Sequence, residues 1–200
     1  MSSQVRILAS ALAVALAGGL TAAAISQAAE KHPAVLSYTA DGKLVAPADY
    51  RTWIYLSSGM DMAYIEGPPP AQHTFETVFV DPASYAAFQK TGTWPDKTVM
   101  VLEIRKGQTR GSITKAGVFQ ADRVGIEYHV KDVARFKSGW AFFPASGAAL
   151  PQDSGCNKCH EEHAAVDTTF VQFYPTLIAK AQEMKTFSAA YLAEEAKAKP

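Results

Sequence analysis

Five consecutive residues near the C-terminal end constrain this chain more than any other feature: Cys156, Asn157, Lys158, Cys159 and His160 form a CxxCH pattern. Two thiols at that spacing reach the two vinyl-derived carbons on one porphyrin edge, and the histidine that follows supplies the iron with an axial imidazole. CxxC by itself also suits a disulfide, a dithiol redox centre or half of a zinc site. Zinc would need a second pair of ligands, yet these are the chain's 2 cysteines, and a thioredoxin-like motif opens a helix after a strand in a βαβ unit. The expected cofactor is therefore one haem c, covalent through Cys156 and Cys159, with its metal on His160. No cysteine then remains for a disulfide, so packing and the cofactor must hold the fold together.

The N-terminus agrees with this chemistry. Arg6 precedes an apolar, alanine-rich run from Ile7 to Leu20, and small residues follow to Ala29. That is the layout of a secretory signal peptide, here residues 1–28, cut after Ala28 or Ala29. The run is short for a bilayer span and ends in Gly18 and Gly19. Haem attachment outside the cytoplasm fits a periplasmic protein with no membrane anchor after cleavage. Basic and acidic side chains number 19 each, so nothing suggests a nucleic-acid partner or an anionic-membrane surface.

Asp41 and Gly42 suggest a turn, and Pro47 to Asp49 open a short helix carrying Tyr50, Arg51 and Trp53. After a break at Gly67–Pro70, Phe75–Val80 reads as a strand. Asp81 before Pro82 is a helix start, with Tyr85 and Phe88 inward and a stop at Gly92. Thr98–Arg105 is again strand-like. Val124, Ile126, Tyr128 and Val130 alternate with Gly125, Glu127, His129 and Lys131, which predicts a strand with one wet face. Trp140–Phe143 is a fourth short strand. Beyond the haem motif, Phe170, Phe173, Leu177, Ile178 and Ala181 recur at helical spacing, with a kink at Pro175 and a frayed tail.

A small electron-carrying cytochrome c has its haem motif early, and the four-helix cytochromes c′ are all-helical; here the motif comes late, after strands. The residues resemble the cytochrome P-460 family and its relative cytochrome c′-beta. The resemblance runs from about Pro47 to Ile178 and is carried by Tyr50-Arg51-Thr52-Trp53, by Thr77-Val78-Phe79-Val80-Asp81-Pro82 with Ser84 and Tyr85, by Trp140-Ala141-Phe142-Phe143, by the haem motif and by Phe173-Tyr174-Pro175. It implies an α+β fold, mainly antiparallel β-sheet with peripheral helices and a helical C-terminus carrying the haem. It also implies one haem per chain, a homodimer, and a five-coordinate iron open to small nitrogen ligands. The domain plan becomes a signal peptide (1–28), an N-terminal extension (29–46), a P-460-like haem domain (47–185) and a tail (186–200).

P-460 enzymes oxidise hydroxylamine and join a lysine to the haem ring, whereas Leu102 occupies that position here. Leucine has no nitrogen nucleophile, and Lys97 precedes it by an odd number of residues, facing the other way on a regular strand. Glu76 stands where a hydroxylamine-oxidising member carries arginine. These departures favour a haem protein that binds nitric oxide or a similar small ligand. The alternatives are a redox enzyme acting on hydroxylamine or a related nitrogen compound with a separate redox partner, and an electron-transfer cytochrome with both axial sites filled.

If Leu102 faces the ring, Met100 and Ile104 face it too, while Val101 and Glu103 face away. Met100 is either a sixth ligand or a space-filling neighbour. Phe75 and Phe79 are strand aromatics that cap the open face or pack in the core. Arg51 holds a haem propionate or makes a surface salt bridge. His129 and His163 read as surface or supporting groups, and His73 as a loop histidine with a remote route to the sixth site.

Overall fold

The computed structural model describes residues 35–198; residues 1–28, read from the sequence as a signal peptide, lie outside them. Five strands form one antiparallel meander: β1 (Ile54–Met60), β2 (Thr74–Val80), β3 (Val99–Gln108), β4 (Phe119–Lys131) and β5 (Trp140–Pro144) stand side by side in chain order. Between β2 and β3 runs α1 (Pro82–Thr91), and after β5 come α2 (Gly155–His163), α3 (Ile178–Met184) and α4 (Ala189–Ala198). The α+β, mainly antiparallel expectation holds.

α1 begins and ends where local chemistry requires. Asp81 Oδ1 accepts from Ser84 N at 2.8 Å, Pro82 fills the first turn, and Gly92 closes the helix at φ +73°, a conformation that costs glycine little. The other oxygen of Asp81 accepts from Val99 N at 3.1 Å, so the same carboxylate ties the helix start to β3.

Successive side chains in a strand point to opposite faces, and this sheet buries both. On one face, Val80, Met100 and Trp140 pack with Phe88 of α1 and with Val166, Val171, Tyr174 and Leu177 from the C-terminal region. On the other, Val99, Val101, Tyr128, Val130 and Phe143 pack with Leu44, Tyr50 and Trp53. The segment before residue 47 is thus part of the core, with Leu44 bridged to Tyr38.

Four elements differ from expectation. β1 has no counterpart in the sequence reading, because Ser57, Ser58 and Gly59 have weak strand preference; pairing with β2 holds them extended despite an irregularity between Tyr55 and Ser57. Tyr50–Thr52 is a single 3-10 turn. The stripe from Phe170 to Ala181 is a 3-10 turn at Val171–Phe173 followed by α3, and Phe173 is exposed. Pro175 cannot donate to a continuous helix. The tail expected to fray is helical to Ala198, started by Ser188 Oγ accepting from Tyr191 N at 3.0 Å and packed through Phe187 and Tyr191.

Candidate functional site

A cavity of about 720 Å³ lies between the sheet face built from β1 to β5 and the segments around α2. Its size falls within the usual range for small-molecule and cofactor sites. Cys156, Cys159 and His160 all line it. Ser154 starts the helix that carries them: its Oγ accepts from Asn157 Nδ2 at 3.0 Å and from Asn157 N at 3.4 Å. The spacings of three and four residues then bring both thiols and the imidazole to one helix face. Both cysteines are free thiols, and burial pushes the Cys159 thiol up.

His160 is held in one orientation and one tautomer. Its Nδ1 lies 2.7 Å from the carbonyl oxygen of Thr168, which can only accept, so Nδ1 carries the proton and Nε2 keeps its lone pair. Burial holds the imidazole below the ordinary histidine value, partly offset by that hydrogen bond. Phe170 and Phe142 flank the ring at centroid distances of 4.1 and 4.6 Å. The accepting carbonyl sits in a tight turn where Asp167 and Thr168 both adopt left-handed φ values, 55° and 59°. Such residues cost roughly 1–2 kcal/mol each. The turn is tied down by the Lys131–Asp167 ion pair and by Trp94 Nε1 donating to Thr169 Oγ1 at 2.8 Å.

The strand register decides which sequence candidates meet at this cavity. Val78 pairs with Leu102, Leu102 with Glu127, and Met100 with His129, so these side chains share one face. Met100, Leu102 and Ile104 line the cavity as period-two alternation required. Phe75 and Phe79 do not. Phe79 pairs with Val101 and Phe75 with Arg105, both on the opposite face, where Phe79 packs against Tyr50 at 5.8 Å. Arg51 is also on that face, its Nη2 2.6 Å from Glu103 Oε2. Glu103 is buried and also accepts from Tyr50 and Arg105, so Arg51 completes a salt-bridge network away from the cavity. Lys97, in the turn before β3, pairs with Asp132.

His129 overturns its reading as a group on a wet strand face. It is 8 % exposed, stacks on Phe142 with centroids 3.9 Å apart, and stands 5.1 Å from the His160 ring. Its Nε2 is buried without a hydrogen-bond partner, as are Trp140 Nε1 and Thr168 Oγ1. Burial, and secondarily His160, holds it well below the ordinary histidine value, so it is neutral. The signal in the sequence was the unbroken run Tyr128, His129, Val130 opposite the aromatic Trp140–Phe143 segment. The other two histidines are engaged elsewhere: His73 Nδ1 lies 2.6 Å from Asp61 Oδ2, and His163 pairs with Glu194.

Two carboxylates also reach the cavity, Glu76 from β2 and Glu127 from β4. Burial holds the Glu76 carboxyl above the ordinary glutamate value, and the charges of Glu127 and Asp61 push in the same direction. Sequence reasoning flagged Glu76 only as a departure and left Glu127 on a solvent face.

The residues present suit a haem. Two thiols and an imidazole with a free Nε2 converge on a cavity walled by Val78, Met100, Leu102, Phe142 and Phe170, where a flat apolar ring would displace water from apolar side chains. A comparison with curated proteins finds no match. The sequence model of the Cytochrome P460 family matches residues 47–171, more than half of the chain and including the CxxCH motif. With the site geometry and that match in agreement, the chain belongs to the cytochrome P460 family, which implies a haem-binding cytochrome.

Proposed function

We propose that this chain is a periplasmic mono-haem c-type cytochrome whose iron is held by His160 alone and binds nitric oxide or a similar small nitrogen ligand. Bound in the cavity, haem would supply an iron centre able to take up such a ligand. Cys156 and Cys159 would anchor it by thioethers, and the Thr168 carbonyl would keep His160 in the Nδ1–H tautomer. The carrying observation is the His160 Nδ1 contact to Thr168 O at 2.7 Å, which presents one ordered imidazole nitrogen to the cavity.

The other candidate ligands support an open sixth position. Two imidazoles facing each other across one metal need about 6 Å between ring centroids, from metal–nitrogen bonds near 2 Å. His129 and His160 are closer than that, at 5.1 Å and inclined by 74°, so His129 stands beside the ligand. Met100 is packed into the core beside Val80 and Trp140. The electron-shuttle alternative requires a second axial ligand; Met100 also lines the cavity, and its packing in the core favours the space-filling role.

The hydroxylamine-oxidising alternative draws support from Glu76 and Glu127, which are proton acceptors inside the cavity. Against it, no lysine lines the cavity among the described residues and Leu102 fills the crosslinking position. The N-terminal apolar run supports the periplasmic assignment, and family resemblance supports a homodimer; no helix among the described residues is long and apolar enough to cross a membrane.

The test is the ferrous absorption spectrum of purified protein with and without nitric oxide, joined to denaturing mass spectrometry. Nitric oxide uptake by a high-spin haem attached only through Cys156 and Cys159 is the expected result. A low-spin spectrum that ignores nitric oxide would sink the proposal, and a lysine crosslink with hydroxylamine turnover would establish the enzyme.

A further inference from the structure

The cavity is acidic and has no countercharge. Register places Glu76 opposite Ile104 and Glu127 opposite Leu102, so the two carboxylates flank β3 on the face that carries Met100, Leu102 and Ile104. Among the described residues, no lysine or arginine lines the cavity, and neither glutamate takes part in an ion pair. Of the cations on β3 and β4, Arg105 is spent on Glu103, Arg123 reaches Tyr50 on the opposite face, Lys131 is paired with Asp167 and lies over Trp140, and Lys106, two residues beyond Ile104, is exposed outside the cavity lining. The remaining polar lining is uncharged, chiefly Ser57, Ser58 and Gln172.

A low-dielectric wall concentrates such a field on whatever enters the cavity. An anion arriving at a metal on His160 meets one or two like charges with no compensating donor of full charge. A neutral diatomic feels almost none of this, and a cation is attracted. We propose that Glu76 and Glu127 act as a charge filter, making this cavity selective for neutral and cationic small ligands over anions. The inference rests on the proposed haem site and adds the class of ligand it accepts.

The test compares haem-loaded wild type with the near-isosteric variants Glu76→Gln, Glu127→Gln and the double variant. Azide and fluoride are titrated into the ferric protein near neutral pH, carbon monoxide into the ferrous protein, and the selectivity is the ratio of anion to carbon monoxide affinity. At an effective dielectric of roughly 20, partly screened by salt, Glu76→Gln should raise that ratio about tenfold, and Glu127→Gln, on a more exposed side chain, about threefold. The double variant should raise it further. A ratio that stays within about twofold of wild type in all three variants, whatever happens to absolute affinities, overturns the charge filter alone. Failure of the wild type to take up carbon monoxide overturns both the filter and the open haem site. Because either single variant suffices, loss of one to misfolding leaves the question decidable.

Discussion

Replacing His129 by phenylalanine should flatten the acid side of this protein's stability curve. In the folded chain the imidazole is sealed between Phe142 and Trp140 and stays neutral well below its ordinary value of 6.5. In the unfolded chain it titrates near that ordinary value, so below it the unfolded state binds a proton that the native state refuses. Stability from this group is therefore complete above pH 6.5 and drains away as pH falls. One pH unit below the unfolded value the loss is about 1.4 kcal/mol. Phenylalanine keeps an aromatic ring against Phe142 and removes the unpartnered Nε2, so the variant should be at least as stable near neutrality. Urea unfolding of the haem-loaded proteins at about pH 7.5 and about pH 5.5 measures the difference, since every other titrating group is common to both. The wild type should lose about 1.4 kcal/mol more than the variant across that interval. Equal losses would refute the reasoning, because they would mean that His129 accepts its proton without unfolding.

Met100→Ala should leave the spin state of the haem-loaded protein unchanged while costing about 3 kcal/mol in urea unfolding, as expected for emptying a buried methionine site beside Val80 and Trp140. A change from low to high spin would instead make Met100 an iron ligand. Asp81→Ala removes the acceptor of both Ser84 N and Val99 N, a helix cap and a buried strand contact together. It should lower stability by about 3 kcal/mol, read as a shift in the urea midpoint, and Asp81→Asn should recover part of that loss.

Elements governed by local chemistry were legible from the residues alone. Asp81, Pro82 and Gly92 mark both ends of α1 because capping, proline geometry and the left-handed glycine act within a few residues of each other. Alternation around Leu102 correctly placed Met100 and Ile104 on its side of β3, since period two is a property of a single strand. What alternation cannot supply is the phase between neighbouring strands. β2 could pair with its even or its odd residues level with Leu102, and a slip of one residue exchanges the faces. The observed register matches Val78 with Leu102, which sends Glu76 into the cavity and Phe75 and Phe79 out of it.

β4 shows the same limit in another form. Its alternating polar positions suggest one solvent face, and Glu127 remains exposed, yet His129 two residues later is buried. The difference is made by the rings of Trp140, Phe142 and His160, which pack against His129. β1 was invisible for a related reason: Ser57, Ser58 and Gly59 are extended because β2 pairs with them, and no local preference announces it.

By itself, the sequence determined the chemical set and its local carrier: two thiols and an imidazole within five residues, with no further cysteine to complete a zinc site. Only the tertiary structure decided how that set is used. It brought the Thr168 carbonyl to His160 Nδ1, laid Phe142, Phe170 and His129 around the ring, and faced the site with two uncompensated glutamates from different strands. Helix caps and strand alternation arise from interactions a few residues apart, which a sequence displays directly. The phase of one strand against the next, and the burial of a single histidine, are set by packing between segments far apart in the chain, and exist only once the whole sheet and its cover have closed.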